Sequence, residues 1–217
     1  DPHAHTLQVS VFMERQGDSK TLVSVRECVR RLRRAHLQWD TAVCAAIEPF
    51  RLLIDAAAEV ARLERNADWT ELQFDFDGQA RAIDAAHVTY EQALDSFRRV
   101  HIEPLQTLVE DMGELVEQIR TVHWKVAMEE RTFRLNTMSL SRLVELVDEF
   151  REIYRKECCA KLNLFYSISP SLPVGRLLLL HSAWSMEELL DETRTEELLC
   201  IFEAEVDSRS RTAPKQQ

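Results

Sequence analysis

An all-α fold follows from three observations on the 217-residue sequence. Glycine (4) and proline (6) are scarce while charged residues make up 29 %, a balance that belongs to long helices rather than to sheets and tight turns. Apolar residues recur in alternating steps of four and three over most of the chain. The interruptions to that spacing are few, and each carries proline, glycine, aspartate or asparagine. The architecture expected is an elongated antiparallel bundle of three long coiled-coil helices, the second kinked at Pro104, plus a shorter acidic C-terminal helix. Four segments follow: a lead-in over 1–20, a three-helix unit over 21–168, a proline-led acidic amphipathic helix over 169–206, and a mobile tail over 207–217.

The first twenty residues are polar, with "TLQVSVF" alternating like a short strand. From Val25 the series Val25, Val29, Leu32, His36, Trp39, Val43, Ala46, Phe50, Leu53, Ala57 and Val60 steps 4,3,4,3 without a break. That register predicts one helix from about Thr21 to Asn66. Pro49 lies inside it without disturbing the phase, so a bend rather than a stop is expected there.

"NADWTELQFDFDGQ" is the first interruption, and a second helix starts near Gln79. Ile83, His87, Tyr90, Leu94, Phe97 and His101 keep the spacing, and Leu105, Leu108, Met112, Leu115, Ile119, Val122 and Val126 resume it. Joining the two series takes a 4,4 step, one residue more than a heptad allows, and Pro104 sits at that slip. A kinked continuous helix and a new helix starting at Pro104 are the two readings of it.

The seam weakens beyond Val126 and recovers at Leu140, Leu143, Val147, Phe150 and Tyr154. "FRLNTMSLS" is the expected reversal, with Asn136 or Thr137 leaving the helix and Ser139 or Ser141 capping the next. The preserved phase also allows one uninterrupted helix from Leu105 to Ile168. "SISPSLPVG" ends the third helix, and a last helix is expected over about Arg176 to Val206.

Three long heptad helices, with "ALDSFRRVHIEPLQTLVEDM" running into a proline in the second and "MEERTFRLNTMSLSRLVELVDEFREIYRKECCAKLNLFY" forming the third, resemble the BAR-domain superfamily. The first stretch is similar to the endophilin type and the second to BAR domains fused to Arf GTPase-activating proteins. The resemblance covers about residues 22–168. It implies a dimeric, membrane-binding or membrane-shaping scaffold that recruits protein partners, with a proline kink setting curvature.

Charge supplies the candidate contact residues. Residues 120–161 hold nine Lys/Arg against seven Asp/Glu, a balance of +2. A denser basic cluster is "RECVRRLRR". The candidate membrane or acidic-partner contacts are Arg26, Arg30, Arg31, Arg33, Arg34, Arg120, Lys125, Arg131, Arg134, Arg142, Arg151, Arg155 and Lys156. Residues 187–207 hold nine acids and only Arg194, a balance of −8. This acidic helix is expected to pack on the basic cluster, within the chain or in a twofold mate. The aromatic seams Trp39–Phe50 and Tyr90–Phe97 are hard to cover within a thin three-helix rod, so a homodimer is expected, with Trp39, Phe50, Tyr90, Leu94, Phe97 and Leu105 at its seam.

Other constellations exclude more than they suggest. "DPH" lacks the second-residue amide that copper or nickel would need, because Pro2 has no N–H. "FDFDG" lacks the remaining ligands of a calcium loop, and Asp77 is read as a helix cap. Cys158–Cys159 beside Lys156 is read as an inert pair, and His36, His87 and His101 as seam histidines rather than metal ligands. No phosphate loop or nucleophile–base set occurs. No enzyme, cofactor, metal or nucleic-acid partner is expected, the last because the net charge is −10. Five cysteines without a disulfide-rich spacing fit a cytoplasmic protein, peripheral at a membrane or cytoskeletal structure. No leader is expected ahead of Asp1. The alternative to a BAR-like scaffold is a coiled-coil subunit of a tethering, cytoskeletal or chromosome-attachment assembly.

Overall fold

The computed structural model describes residues 2–67, 76–129, 135–186 and 189–206. They form α1 (Pro2–Ala67), α2 (Phe76–Phe97), a π-helical turn (Arg98–Ile102), α3 (Glu103–Met128), α4 (Leu140–Tyr166), α5 (Val174–Ser185) and α6 (Glu192–Val206). Among the described residues there is no strand, and the fold is all-α.

The backbone falls into two compact units. The first takes Asp1–His36, Glu110–Ile153 and Asp191–Gln217; the second takes Leu37–Val109 and Tyr154–Leu190. Helices α1, α3 and α4 therefore contribute to both, while α6 belongs to the first and α2, the π turn and α5 to the second.

In the first unit α1 buries Val25, Val29 and Leu32, α3 buries Met112, Leu115 and Ile119, and α4 buries Leu140, Leu143, Val147 and Phe150. Helix α6 closes this core with Leu198 and Phe202, whose ring lies edge-on to Phe150 with centroids 5.5 Å apart. In the second unit α1 and α2 run antiparallel, with Phe50 against Phe97 and Glu64 against His87. Trp39 meets Tyr154 at 5.4 Å, and Trp184 of α5 stacks on Phe50 at 4.4 Å. Of the eleven α1 seam residues only His36 escapes full burial, which is the 4,3 spacing made physical.

Three expectations change: those for the lead-in, for the reversal and for the last helix. Residues 2–20, read as a polar lead-in with a strand-like stretch, are helical backbone continuous with the rest of α1. Pro49 lies within that helix and does not stop it, as its undisturbed phase predicts. The reversal is real, which removes the single helix from 105 to 168, but α3 ends at Met128, well before Asn136. Residues 130–134 lie outside the described residues. Ser139 begins α4 as expected, its hydroxyl accepting from the Arg142 backbone N–H at 3.2 Å. The single last helix is two helices, α5 and α6, and the tail over 207–217 lies outside the described residues.

The slip at Pro104 takes a definite form. The Glu103 N–H donates to the Arg98 carbonyl, five residues back, so the extra residue in the apolar spacing is absorbed by one wide turn. The buried stripe then passes from Phe97 to Ile102 to Leu105, in steps of five and three, and His101 is only half-buried. Pro104 itself is exposed and sits in the first turn of α3. It cannot donate to the carbonyl four residues earlier, so the hydrogen-bond ladder must skip here in any case. Helical backbone passes through residue 104 without a break, which removes the reading of a new helix after an interruption.

Candidate functional site

The aromatic seam is covered inside the second unit. Trp39, Phe50, Tyr90, Phe97 and Leu105 are all buried, and Leu94 is half-buried. The side chain missing from the three-helix expectation is Trp184, which stacks on Phe50 and meets Phe97 edge-on at 5.3 Å. These residues are buried without a second copy, which removes the premise on which a dimer seam was placed there.

Two buried carboxylates organise the parts of the fold that the heptad pattern does not reach. In the second unit, α4 continues its stripe from Phe150 and Tyr154 into Glu157 and Lys161, one turn apart. Their side chains are 2 % and 1 % exposed and pair at 3.1 Å. Lys161 Nζ donates to the carbonyls of Trp184 and, at 3.0 Å, Met186, and lies 5.4 Å from the centre of the Trp184 ring. Glu157 Oε2 accepts from the Leu189 N–H at 3.0 Å. The pair therefore satisfies the orphan carbonyls at the end of α5 and one N–H of the connection beyond it. These bonds are made where the last helix divides. Asp191 then starts α6, its carboxylate accepting from the Arg194 N–H at 2.9 Å.

In the first unit the buried carboxylate is Glu205 of α6. It accepts from the N–H groups of Asn136 and Thr137, at 2.7 and 2.9 Å, and from the Thr137 hydroxyl. Asn136 in turn donates to the carbonyls of Ala204 and Glu205, and Arg26 donates to the Asn136 side-chain oxygen at 2.9 Å and to the Glu205 carbonyl at 3.3 Å. The acidic helix thus packs on the basic cluster within the chain, and Arg33 adds an ion pair to Glu203 at 2.5 Å.

The remaining candidate cations are placed as follows. Arg30 and Arg34 pair with Glu27, Arg120 with Glu117 and Asp148, and Arg142 with Glu145. Arg151 is half-buried with its guanidinium against Gly113. Arg155, Arg31, Lys125 and Lys156 are exposed. Arg131 and Arg134 lie outside the described residues. Arg194, not singled out from the sequence, bonds Glu149 in bidentate fashion at 2.6 and 2.9 Å, which holds the Glu149 carboxyl below the usual carboxylate range.

The histidines do not converge. His87 bonds Glu64 at 2.9 Å, and His101 packs on Phe97 at 4.9 Å, where burial lowers its pKa. Among the described residues no group of three His, Cys, Asp or Glu is placed to hold a metal ion. Cys158 is buried and Cys159 exposed; burial raises the Cys28 thiol, which donates to the Gln118 side-chain oxygen at 3.5 Å. Asp77 lies in the first turn of α2, where its charge suits the helix dipole. A cleft of about 250 Å³ beside the π turn is floored by Leu94, Phe165 and Ile168 and rimmed by Glu91, Asp95 and Arg98. Arg98 is already paired with Asp95 at 2.9 Å, and Arg99 pairs with the same carboxylate.

No described helix is long and apolar enough to cross a membrane. Searches against models of known protein families and against curated proteins found no match to this chain.

Proposed function

We propose that this chain is a non-enzymatic coiled-coil scaffold that acts through protein contacts, as a subunit of a tethering, cytoskeletal or chromosome-attachment assembly. One observation carries this reading: six of the eleven described candidate cations are engaged with carboxylates or backbone of their own chain. Arg30, Arg33, Arg34, Arg120 and Arg142 each hold a carboxylate, and Arg26 holds the 136 loop. A paired arginine brings its carboxylate to an anionic surface with it, so little net attraction is left.

The magnitudes favour protein over lipid. A cation near an anionic bilayer contributes about 1 kcal/mol. The other four exposed candidates, Arg31, Lys125, Arg155 and Lys156, together supply roughly 4 kcal/mol, no tighter than a millimolar complex. The net charge of −10 opposes even that. The buried titratable groups support the non-enzymatic part of the reading, because Glu157, Lys161 and Glu205 are engaged with backbone N–H and C=O groups rather than aimed into a cleft.

Co-sedimentation with phosphatidylserine vesicles across a salt series tests the choice. The expected result is no salt-sensitive binding. Binding that rises with phosphatidylserine content and falls with salt would overturn the proposal in favour of the BAR-like membrane scaffold.

A further inference from the structure

The cleft beside the π turn sets one uncompensated charge against an apolar floor. Glu91, Leu94, Asp95 and Arg98 line one wall at helical spacing, and Phe165, Tyr166 and Ile168 line the other. Two contacts fix these walls. The Tyr90 hydroxyl donates to the Ile168 carbonyl at 3.2 Å, which ties the end of α4 to α2. The buried Phe165 ring meets that of Tyr166 edge-on at 5.1 Å, so the Tyr166 ring is backed by a fixed one although it is 69 % exposed. The charges on the rim do not cancel. Asp95 is shared by Arg98, at 2.9 Å, and Arg99, at 2.5 Å, and Arg98 also reaches Glu103 at 3.8 Å. The surplus carboxylate is Glu91, which is exposed and has no ion pair among the described residues.

We propose that this cleft receives a lysine or arginine side chain of a partner protein, with its aliphatic stem on Leu94, Phe165 and Ile168 and its charge beside Glu91 and the Tyr166 ring. Size selects one side chain. A volume of about 250 Å³ is smaller than the pockets that hold cofactors or drug-sized ligands. Charge selects a cation, because an anionic group would meet Glu91 while both arginines are already engaged. The apolar floor selects a long stem, and lysine and arginine are the cations that lay a stem on apolar surface and keep the head in water. An exposed ring beside a carboxylate then adds a cation–π contact. The chain's charge of −10 draws a basic partner from a distance. The cleft also borders the π turn, and such turns recur at functional sites. The inference rests on the protein-contact reading and adds to it the chemistry of one partner group.

Titration of the full chain, followed by the NMR signals of the Leu94 and Ile168 methyl groups and the Tyr166 ring, tests it. The probes are the N-acetyl methylamides of lysine and arginine, with that of norleucine as the uncharged match in length. The two cations are expected to give saturating shifts with a Kd on the order of millimolar, and norleucine to bind roughly fivefold more weakly or worse. Glu91→Gln and Tyr166→Ala, both at exposed positions, should each weaken the cations roughly threefold or more with far-UV circular dichroism unchanged. Glu110→Gln, at an exposed carboxylate on α3, should leave binding as in the wild type. No saturating shift at the cleft, norleucine binding as well as lysine, or normal binding by either cleft variant overturns the proposal. The titration contains no lipid, so its failure overturns the cleft alone. Salt-sensitive binding to phosphatidylserine with the titration intact would remove the protein-contact reading alone.

Discussion

Deleting Val100 should be nearly harmless, and deleting Glu114 should be close to lethal for the fold. Val100 is exposed in the middle of the π turn. Without it the buried spacing Phe97–Ile102–Leu105 changes from five and three to four and three, the step of an ordinary helix, and the wide turn is no longer needed. The expected change in stability is within about 1 kcal/mol, because no buried group moves face and one distorted turn becomes regular. Glu114 is exposed too, but lies in regular α3. Its loss turns one side of the stripe by about 100° relative to the other. The best available compensation is reversion of the π turn to α, and that leaves Ile102, Leu105 and Met112, all buried, facing wrongly. At about 2–3 kcal/mol for each side chain the loss is roughly 6–9 kcal/mol, comparable with the whole stability of a domain. Urea denaturation followed by circular dichroism gives both numbers, with the slope checking that the same surface is exposed. Equal losses in the two deletions, or a Val100 deletion that costs more than about 3 kcal/mol, would refute the idea that the π turn exists to absorb one residue.

Further outcomes follow from the same contacts. Pro104→Ala should raise stability by about 1–3 kcal/mol, since alanine restores a donor in an exposed helical position, while the π turn persists because the apolar spacing is unchanged; the denaturation midpoint and the amide exchange of Glu103 check the two halves. Lys161→Met should cost about 3–5 kcal/mol by leaving Glu157 buried and unpaired, and the double change Glu157→Leu/Lys161→Met should cost less than the sum of the single changes in a double-mutant cycle. Glu205→Gln should cost about 1.5–3 kcal/mol and speed amide exchange at Asn136 and Thr137, the two N–H groups it receives. His101, whose pKa burial lowers, binds its proton more readily in the unfolded chain. Its contribution is therefore complete above about pH 6.5 and is lost as pH falls below that value, and His101→Gln should flatten this part of a stability–pH curve.

The long helices were legible because burial follows spacing: a residue every third or fourth position is forced to one face, and from Val25 to Val60 only His36 departs. The slip near Pro104 was legible as one surplus residue. Its form was not, since His101 and Ile102 are adjacent and either can continue an apolar series; only packing chooses Ile102. The division of the last helix was illegible for a different reason. Leu189, Leu190 and Leu198 keep a helical spacing past the break, and the groups that bond its two sides are an ammonium and a carboxylate far earlier in α4. There Glu157 and Lys161 look like any solvated i,i+4 pair. Trp184 was visible as an apolar residue but not as the cap on Phe50 and Phe97, because nothing local reports which distant ring a tryptophan will meet. The bonding of Arg26 and Arg33 to α6 was foreseeable from charge alone.

The carboxylate of Glu205 has a consequence for the order in which the chain can assemble. The second unit is complete in sequence once Leu190 has been made, whereas the first needs residues on both sides of it, including Glu205. As the polypeptide emerges, Trp39, Phe50, Phe97, Tyr154 and Trp184 can already find one another while the loop at Asn136 and Thr137 still has bare N–H groups and Phe150 still lacks Phe202. Ribosomal synthesis therefore supplies every residue of the second unit before the closing helix of the first. A chain halted between α5 and α6 would hold all residues of one core and only part of the other, with Met112, Leu143 and Phe150 open to any chaperone that reads apolar surface.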